Sequence, residues 1–127
     1  MLDASVIGPW FWQGGVTRRA GLYAEFETGQ LTVAVPSLLF LELLNVAGRQ
    51  ARWSADLLSE LADRLLRMKF EVLDPELARV AGWVGRGLTA YDASYVALAE
   101  QLDLPLVTVD RAILELAPDV AQPLPPA

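Results

Sequence analysis

The sequence predicts an α/β domain whose parallel sheet is covered on both faces, and three observations lead there. Short apolar, β-branched runs alternate with segments whose apolar residues recur at helical spacing. The strand-like runs are separated by helices, the order that builds a parallel sheet. Pro105 to Val109 carries the pattern of a strand from the middle of such a sheet. The 127 residues match the size of one ordinary domain, and no internal repeat or long linker divides them. A single domain over 1–127, with a Pro-rich end from about residue 118, is therefore expected.

In order along the chain, Met1 to Ile7 reads as a strand. Val16 to Glu27 places Val16, Ala20, Tyr23 and Phe26 at helical spacing. Leu31 to Val35 is a second strand closed by Pro36, and Ser37 is set to cap a helix running to about Gln50. Ser54 opens the next helix, with Leu57, Leu58, Leu61, Leu65 and Met68 on one side. Its Asp56, Glu60, Asp63, Arg64 and Arg67 form the wet side. Phe70 to Leu73 is a strand, and Pro75 suits the first turn of a helix reaching about Val84. Gly85 and Gly87 mark a break. Thr89-Ala90-Tyr91-Asp92 resembles a capping box, opening a helix to about Leu102. After the Pro105–Val109 strand, a short helix starts at Arg111, and Val120 to Leu124 forms a last edge strand.

Composition removes several kinds of chemistry. With no cysteine and no histidine, the chain has no disulfide, thiol nucleophile, structural zinc site or imidazole base. Oxygen ligands remain, and these favour magnesium or manganese. The net charge of −6 and the scattered groups Arg18-Arg19, Arg49/Arg52 and Arg64/Arg67/Lys69 give no basic face for duplex binding. Acidity leaves room for an enzyme that holds a short single strand at one metal site. Hydrophobic residues reach 54%, with a mean hydropathy of +0.33. The longest apolar run, Leu38 to Leu44, is broken by Glu42 and falls far short of the roughly 18 residues a membrane span needs. The surplus apolar surface points to self-association or a partner, and the expected location is cytoplasmic.

Four acids stand apart from the solvated helix faces. Asp3 lies between Leu2 and Ala4, where a carboxylate is costly to desolvate unless a cation or several donors receive it; an edge-strand acid facing water is the alternative. Glu42 shares a narrow polar seam with Asn45 and Arg49, which either meets solvent or lines a cleft. Asp92 and Asp110 sit where helix capping alone accounts for an acid. Taken together they have a different meaning. Ligands of parallel α/β sheets bind beyond the carboxyl ends of the strands, where these four acids can converge. Carboxylates about 4 Å apart repel by on the order of 4 kcal/mol per pair at an effective dielectric near 20. Either some stay protonated, or a divalent cation occupies the centre.

These residues also resemble a known family. Met1 to Val6 is similar to the opening strand of PIN-domain proteins, in particular the VapC toxins of bacterial toxin–antitoxin pairs. Val35 to Val46 resembles their second-helix segment, and Leu88 to Ala99 with Leu104 to Arg111 is the strongest match. The resemblance implies a three-layer α/β/α fold and a magnesium- or manganese-dependent endoribonuclease. Asp3, Glu42, Asp92 and Asp110 would be the catalytic and metal-binding quartet, with Asp3 and Asp92 as direct ligands. Ser5 and Thr108 would orient a carboxylate or a water. RNA phosphodiesters would be hydrolysed by metal-activated water to 3′-hydroxyl and 5′-phosphate ends, with Arg111 available to a phosphate. The implied partners are RNA, a cognate antitoxin and a second copy in a homodimer. Trp10, Trp12, Trp53 and Trp83 are candidate interface anchors, although core packing accounts for at least two of them. One departure stands out: family members often place a basic residue before the Trp-Phe pair, whereas here Gly8-Pro9 precedes Trp10-Phe11.

Two rivals frame this reading. A receiver-type phosphoacceptor domain carries adjacent acids after its first strand and a lysine near its last; here Asp3 stands alone and the sole lysine is Lys69. A catalytically silent PIN-like module acting by binding is the other.

Overall fold

The computed structural model describes residues 1–12 and 17–125, with the side chains of residues 17–20 left aside. The elements, in order, are α1 (Ala4–Ile7), α2 (Pro9–Trp12), α3 (Thr17–Glu27), β1 (Ala34–Val35) and α4 (Leu38–Asn45). A π-helical turn, Val46–Gln50, continues α4. Then come α5 (Ala55–Arg67), β2 (Glu71–Val72), α6 (Leu77–Gly85), α7 (Ala90–Leu102), β3 (Leu106–Thr108), α8 (Arg111–Leu116) and β4 (Ala121–Pro123). Every strand pairing among the described residues is parallel, as expected of an α/β fold: β1 with β2, β3 with β4, and Leu2 bridged to Val107. Strand β3 thus lies between two neighbours, as an inner strand should. Val107 N–H donates to Met1 O at 2.8 Å and Leu106 N–H to Val120 O at 3.0 Å.

Three expectations require correction. The strand expected over Met1 to Ile7 is confined to the Leu2 bridge, after which the chain turns into α1. The cause is Asp3, whose backbone is extended while its side chain accepts Ser5 N–H and caps the helix. Ser37 does not cap α4 through its side chain; its N–H and hydroxyl both donate to Asp74 Oδ1 at 2.9 Å, tying α4 to the loop after β2. Pro75 lies outside α6, because Glu76 takes the extended cap position and donates its N–H to Gln101 Oε1 at 3.0 Å. Val16, expected in the second element, lies outside the described residues; the helix itself is present from Thr17. Ser54 and Thr89 cap α5 and α7 as expected, accepting from Leu57 N–H and Asp92 N–H. Gly87, at φ +113°, makes the break before α7 in a conformation other residues rarely adopt.

Helix α7 is central. Seven consecutive residues, Ala93 to Ala99, are buried, so it packs on all sides and shows little amphipathicity. Helix α5 is the opposite case: Leu61 and Leu65 face the core while Asp56, Glu60, Asp63, Arg64 and Arg67 are exposed. Around α7 the core gathers Val6, Ile7, Val35, Leu39, Leu43, Leu106 and Ile113. The tryptophans pack inside the chain: Trp83 is buried, Trp12 meets Trp53 edge-on at 6.3 Å, and Trp10 lies against Tyr23 and Phe26. No helix among the described residues is long and apolar enough to cross a membrane.

Candidate active site

The site is built where three helices begin. Asp3 follows the Leu2 bridge and caps α1, and Asp110 follows β3 and caps α8, accepting Ile113 N–H at 3.1 Å. Asp92 lies in the first turn of α7. Free N–H groups and the helix dipole favour an acid at each of these positions. Both caps follow a β-residue, so these carboxylates lie at the carboxyl ends of strands, where α/β sheets bind ligands.

Asp3 is held most firmly. Its Oδ1 accepts from Ser5 Oγ at 2.5 Å and Ser5 N–H at 3.2 Å, and its Oδ2 accepts from Thr108 Oγ1 at 2.5 Å. Each hydroxyl is fixed in turn by the turn after β3: Val109 N–H donates to Ser5 Oγ at 3.1 Å, and Asp110 N–H to Thr108 Oγ1 at 2.9 Å. Ser5 and Thr108 therefore orient the Asp3 carboxylate. Of the four acceptor directions of an ionised carboxylate, one on Oδ2 is left open among the described residues. Asp3 is only 4% exposed and Thr108 0%, so that end of the network is closed to solvent, while Ser5 is partly exposed.

The other acids act on Asp3 and on one another. Burial raises the Asp3 pKa above the ordinary 3.8, and the Asp110 charge adds to it, against the lowering effect of its hydroxyl donors. Burial also raises Glu42 above 4.5, with Asp92 and Asp3 pushing the same way. Asp92 is raised by burial, then by Asp110 and Asp3, and Thr89 offsets part of this. Acids separated by up to 107 positions in sequence are thus close enough for the charges of Asp3, Asp92 and Asp110 to act on their neighbours.

Sequence reasoning missed Tyr95. Its hydroxyl donates to Glu42 Oε1 at 2.6 Å, and the residue is 1% exposed. Burial first, and then the Glu42 charge, drive its pKa far above the ordinary 10, so it acts solely as a neutral donor. A signal was present: Tyr95 follows Asp92 by three residues, on the same side of the helix, within a run of small apolar residues. Beside the acids opens a groove of about 810 Å³, lined by Leu41, Glu42, Leu44, Asn45, Arg49 and Tyr91 among others. The polar seam of Glu42, Asn45 and Arg49 therefore lines a cleft. Arg111 is exposed at the start of α8.

The donor set suits a hard divalent cation: all four acids offer oxygen, and burial, with repulsion from the neighbouring acids added, raises the pKa of three of them. Among the described residues, however, no three of them are drawn together as a ready-made metal cluster.

An α/β domain whose acids stand at the starts of three helices, two of them just past β-residues, is the class of protein the fold and site define. The chain belongs to the PIN-domain family, whose model matches residues 1–118; the PIN domain is generally a metal-dependent nuclease fold. It is similar to the crystal structure of PAE2754 from Pyrobaculum aerophilum, with 30% identity and a TM-score of 0.71, over 97% of this chain and 87% of that one. No curated protein matches the chain.

Proposed function

We propose that this protein is a magnesium- or manganese-dependent endoribonuclease and the toxin of a type II toxin–antitoxin pair. One observation carries the reading: Asp3, Glu42, Asp92 and Asp110, from four separate elements, act on one another as charges in a half-buried site within a PIN fold. Asp3 and Asp92 would hold the cation, with Glu42 and Asp110 completing its surroundings. When bound, the cation supplies Lewis acidity and a water of lowered pKa. Ser5 and Thr108 aim Asp3 and oppose the rise in its pKa, and Tyr95 holds one oxygen of Glu42, leaving the other to accept a proton from water. An antitoxin masking the acids and a toxin homodimer complete the proposal.

The test is cleavage of a mixed RNA pool with and without manganese, by the parent and by Asp3→Asn and Asp92→Asn. A loss of at least about 100-fold is expected from either substitution, since even groups that only support a metal ligand contribute about 10- to 100-fold. Variants that keep their fold and cleave like the parent would refute the reading. Co-expression with the neighbouring gene, followed by mass measurement, tests the antitoxin. That no three acids form a ready-made cluster among the described residues favours a second reading, a silent module that binds without cutting; an RNA pool left intact by the parent in manganese would select it.

A further inference from the structure

We propose that the groove beside the acids grips the single-stranded RNA flanking the bond to be cut, with Tyr91 stacking on a base and Arg49 pairing with a phosphate. This assignment rests on the nuclease reading above. The groove is continuous with the acidic site, since Glu42 lines it and also receives the Tyr95 hydrogen bond. A strand laid along it therefore passes the acids.

Tyr91 immediately precedes Asp92 in the first turn of α7. It is 65% exposed, although the seven residues from Ala93 to Ala99 are all buried. The helix thus spends its one large exposed ring at the mouth of the acidic site. Every base offers a face to such a ring, which is how single strands are held without sequence preference.

Arg49 is the one cationic side chain lining the groove among the described residues. It is carried on the π-helical turn Val46–Gln50, a local widening of the helix that often accompanies functional sites. The groove therefore runs from negative at Glu42 to positive at Arg49, matching a strand whose reacting phosphate meets the acids while a neighbouring one meets the guanidinium. Nor can the loop after Asp3 supply that cation at residue 8. A Cβ on Gly8 would lie 2.6 Å from the Trp12 ring and 2.8 Å from Ala4 O. With a net charge of −6, the protein gains little from diffuse phosphate neutralisation, so stacking and a few point contacts must provide the grip.

The experiment is steady-state cleavage of a short single-stranded RNA of mixed sequence in manganese, over a range of salt, with analytical ultracentrifugation of every variant. Tyr91→Ala is expected to raise KM by about 5- to 160-fold, the range of one lost base stack, while Tyr91→Phe keeps the parent value. Arg49→Gln raises KM and reduces the salt slope by about 0.7, the loss of one phosphate contact on a single strand. Asp3→Asn is run alongside. If it cleaves normally, the nuclease reading falls and takes this one with it. If it is dead while Tyr91→Ala and Arg49→Gln keep the parent KM and salt slope, the groove assignment alone is overturned. It is equally overturned if those two variants leave KM unchanged but alter the sedimenting mass, since the groove would then be covered by a second copy.

Discussion

The two sides of the acidic site are built differently. Asp3 is buried and tied through both oxygens to hydroxyls that are themselves held by backbone N–H groups. Glu42, half-buried on α4, is tied through one oxygen to Tyr95 and opens onto the groove. A carboxylate with both oxygens engaged cannot turn without breaking several charge-assisted hydrogen bonds, whereas one held at a single oxygen can swing. The lesson is a division of labour: one side of the site is fixed at both carboxylate oxygens, and the other is held at one oxygen and faces the groove.

The largest expected effect tests whether the two sides share one cation. Asp3, Glu42 and Asp92 all have folded pKa values above their ordinary ones, so folding favours their protonated forms. They cost no stability below about pH 4, and the cost grows as pH rises through the raised values. In chelator, the melting temperature of the parent should therefore fall from about pH 4 toward neutrality more steeply than that of Asp3→Asn. Magnesium or manganese at about 100 times Kd should restore about 2.7 kcal/mol near neutral pH, about 10 °C, and almost nothing at about pH 4. Thermal melts that ignore the cation at neutral pH would show that the acids do not act together on a metal.

A smaller effect separates the two supports of Asp3. Thr108→Val removes the donor to Asp3 Oδ2 and the acceptor of Asp110 N–H in a place water does not reach. A loss of about 2 kcal/mol in denaturant unfolding is expected. Ser5→Ala removes similar bonds from a partly exposed position, where water substitutes, and should cost about 1 kcal/mol. Equal losses would show that the network is not graded by burial.

The same contrast explains what could be read from the chain. Alternation of helices and strands, the caps at Ser54 and Thr89, and the inner strand at Leu106 to Thr108 follow from local pattern, and they were legible. Met1 to Ile7 misleads because its apolar residues suit either a strand or a buried helix turn; the choice falls to Asp3, whose carboxylate caps the helix and also accepts the hydroxyls of Ser5 and Thr108. The acids themselves were legible as residues out of place, but capping explained Asp92 and Asp110 equally well without any function. Their convergence is a tertiary fact. So is the Tyr95–Glu42 bond, which joins residues 53 positions apart, and the groove, which depends on α4 continuing as a π-helical turn.

Tyr95→Phe gives the smallest effect and the sharpest test of the adaptable side. The substitution keeps the buried ring and removes only the hydroxyl, so packing around α7 should survive and stability should change by about 1 kcal/mol. Its chemical consequence has a defined sign. The Tyr95 hydrogen bond lowers the Glu42 pKa against burial and the neighbouring charges, so losing it raises that pKa further. If Glu42 must be ionised for cleavage, the acidic limb of the pH–rate profile moves to higher pH. Activity then falls by up to about tenfold on that limb and recovers at alkaline pH. A role confined to packing would lower the rate uniformly and leave the limb in place. A limb that moves in Tyr95→Phe but not in Ser5→Ala would assign the titration to Glu42, the side of the site that faces the groove.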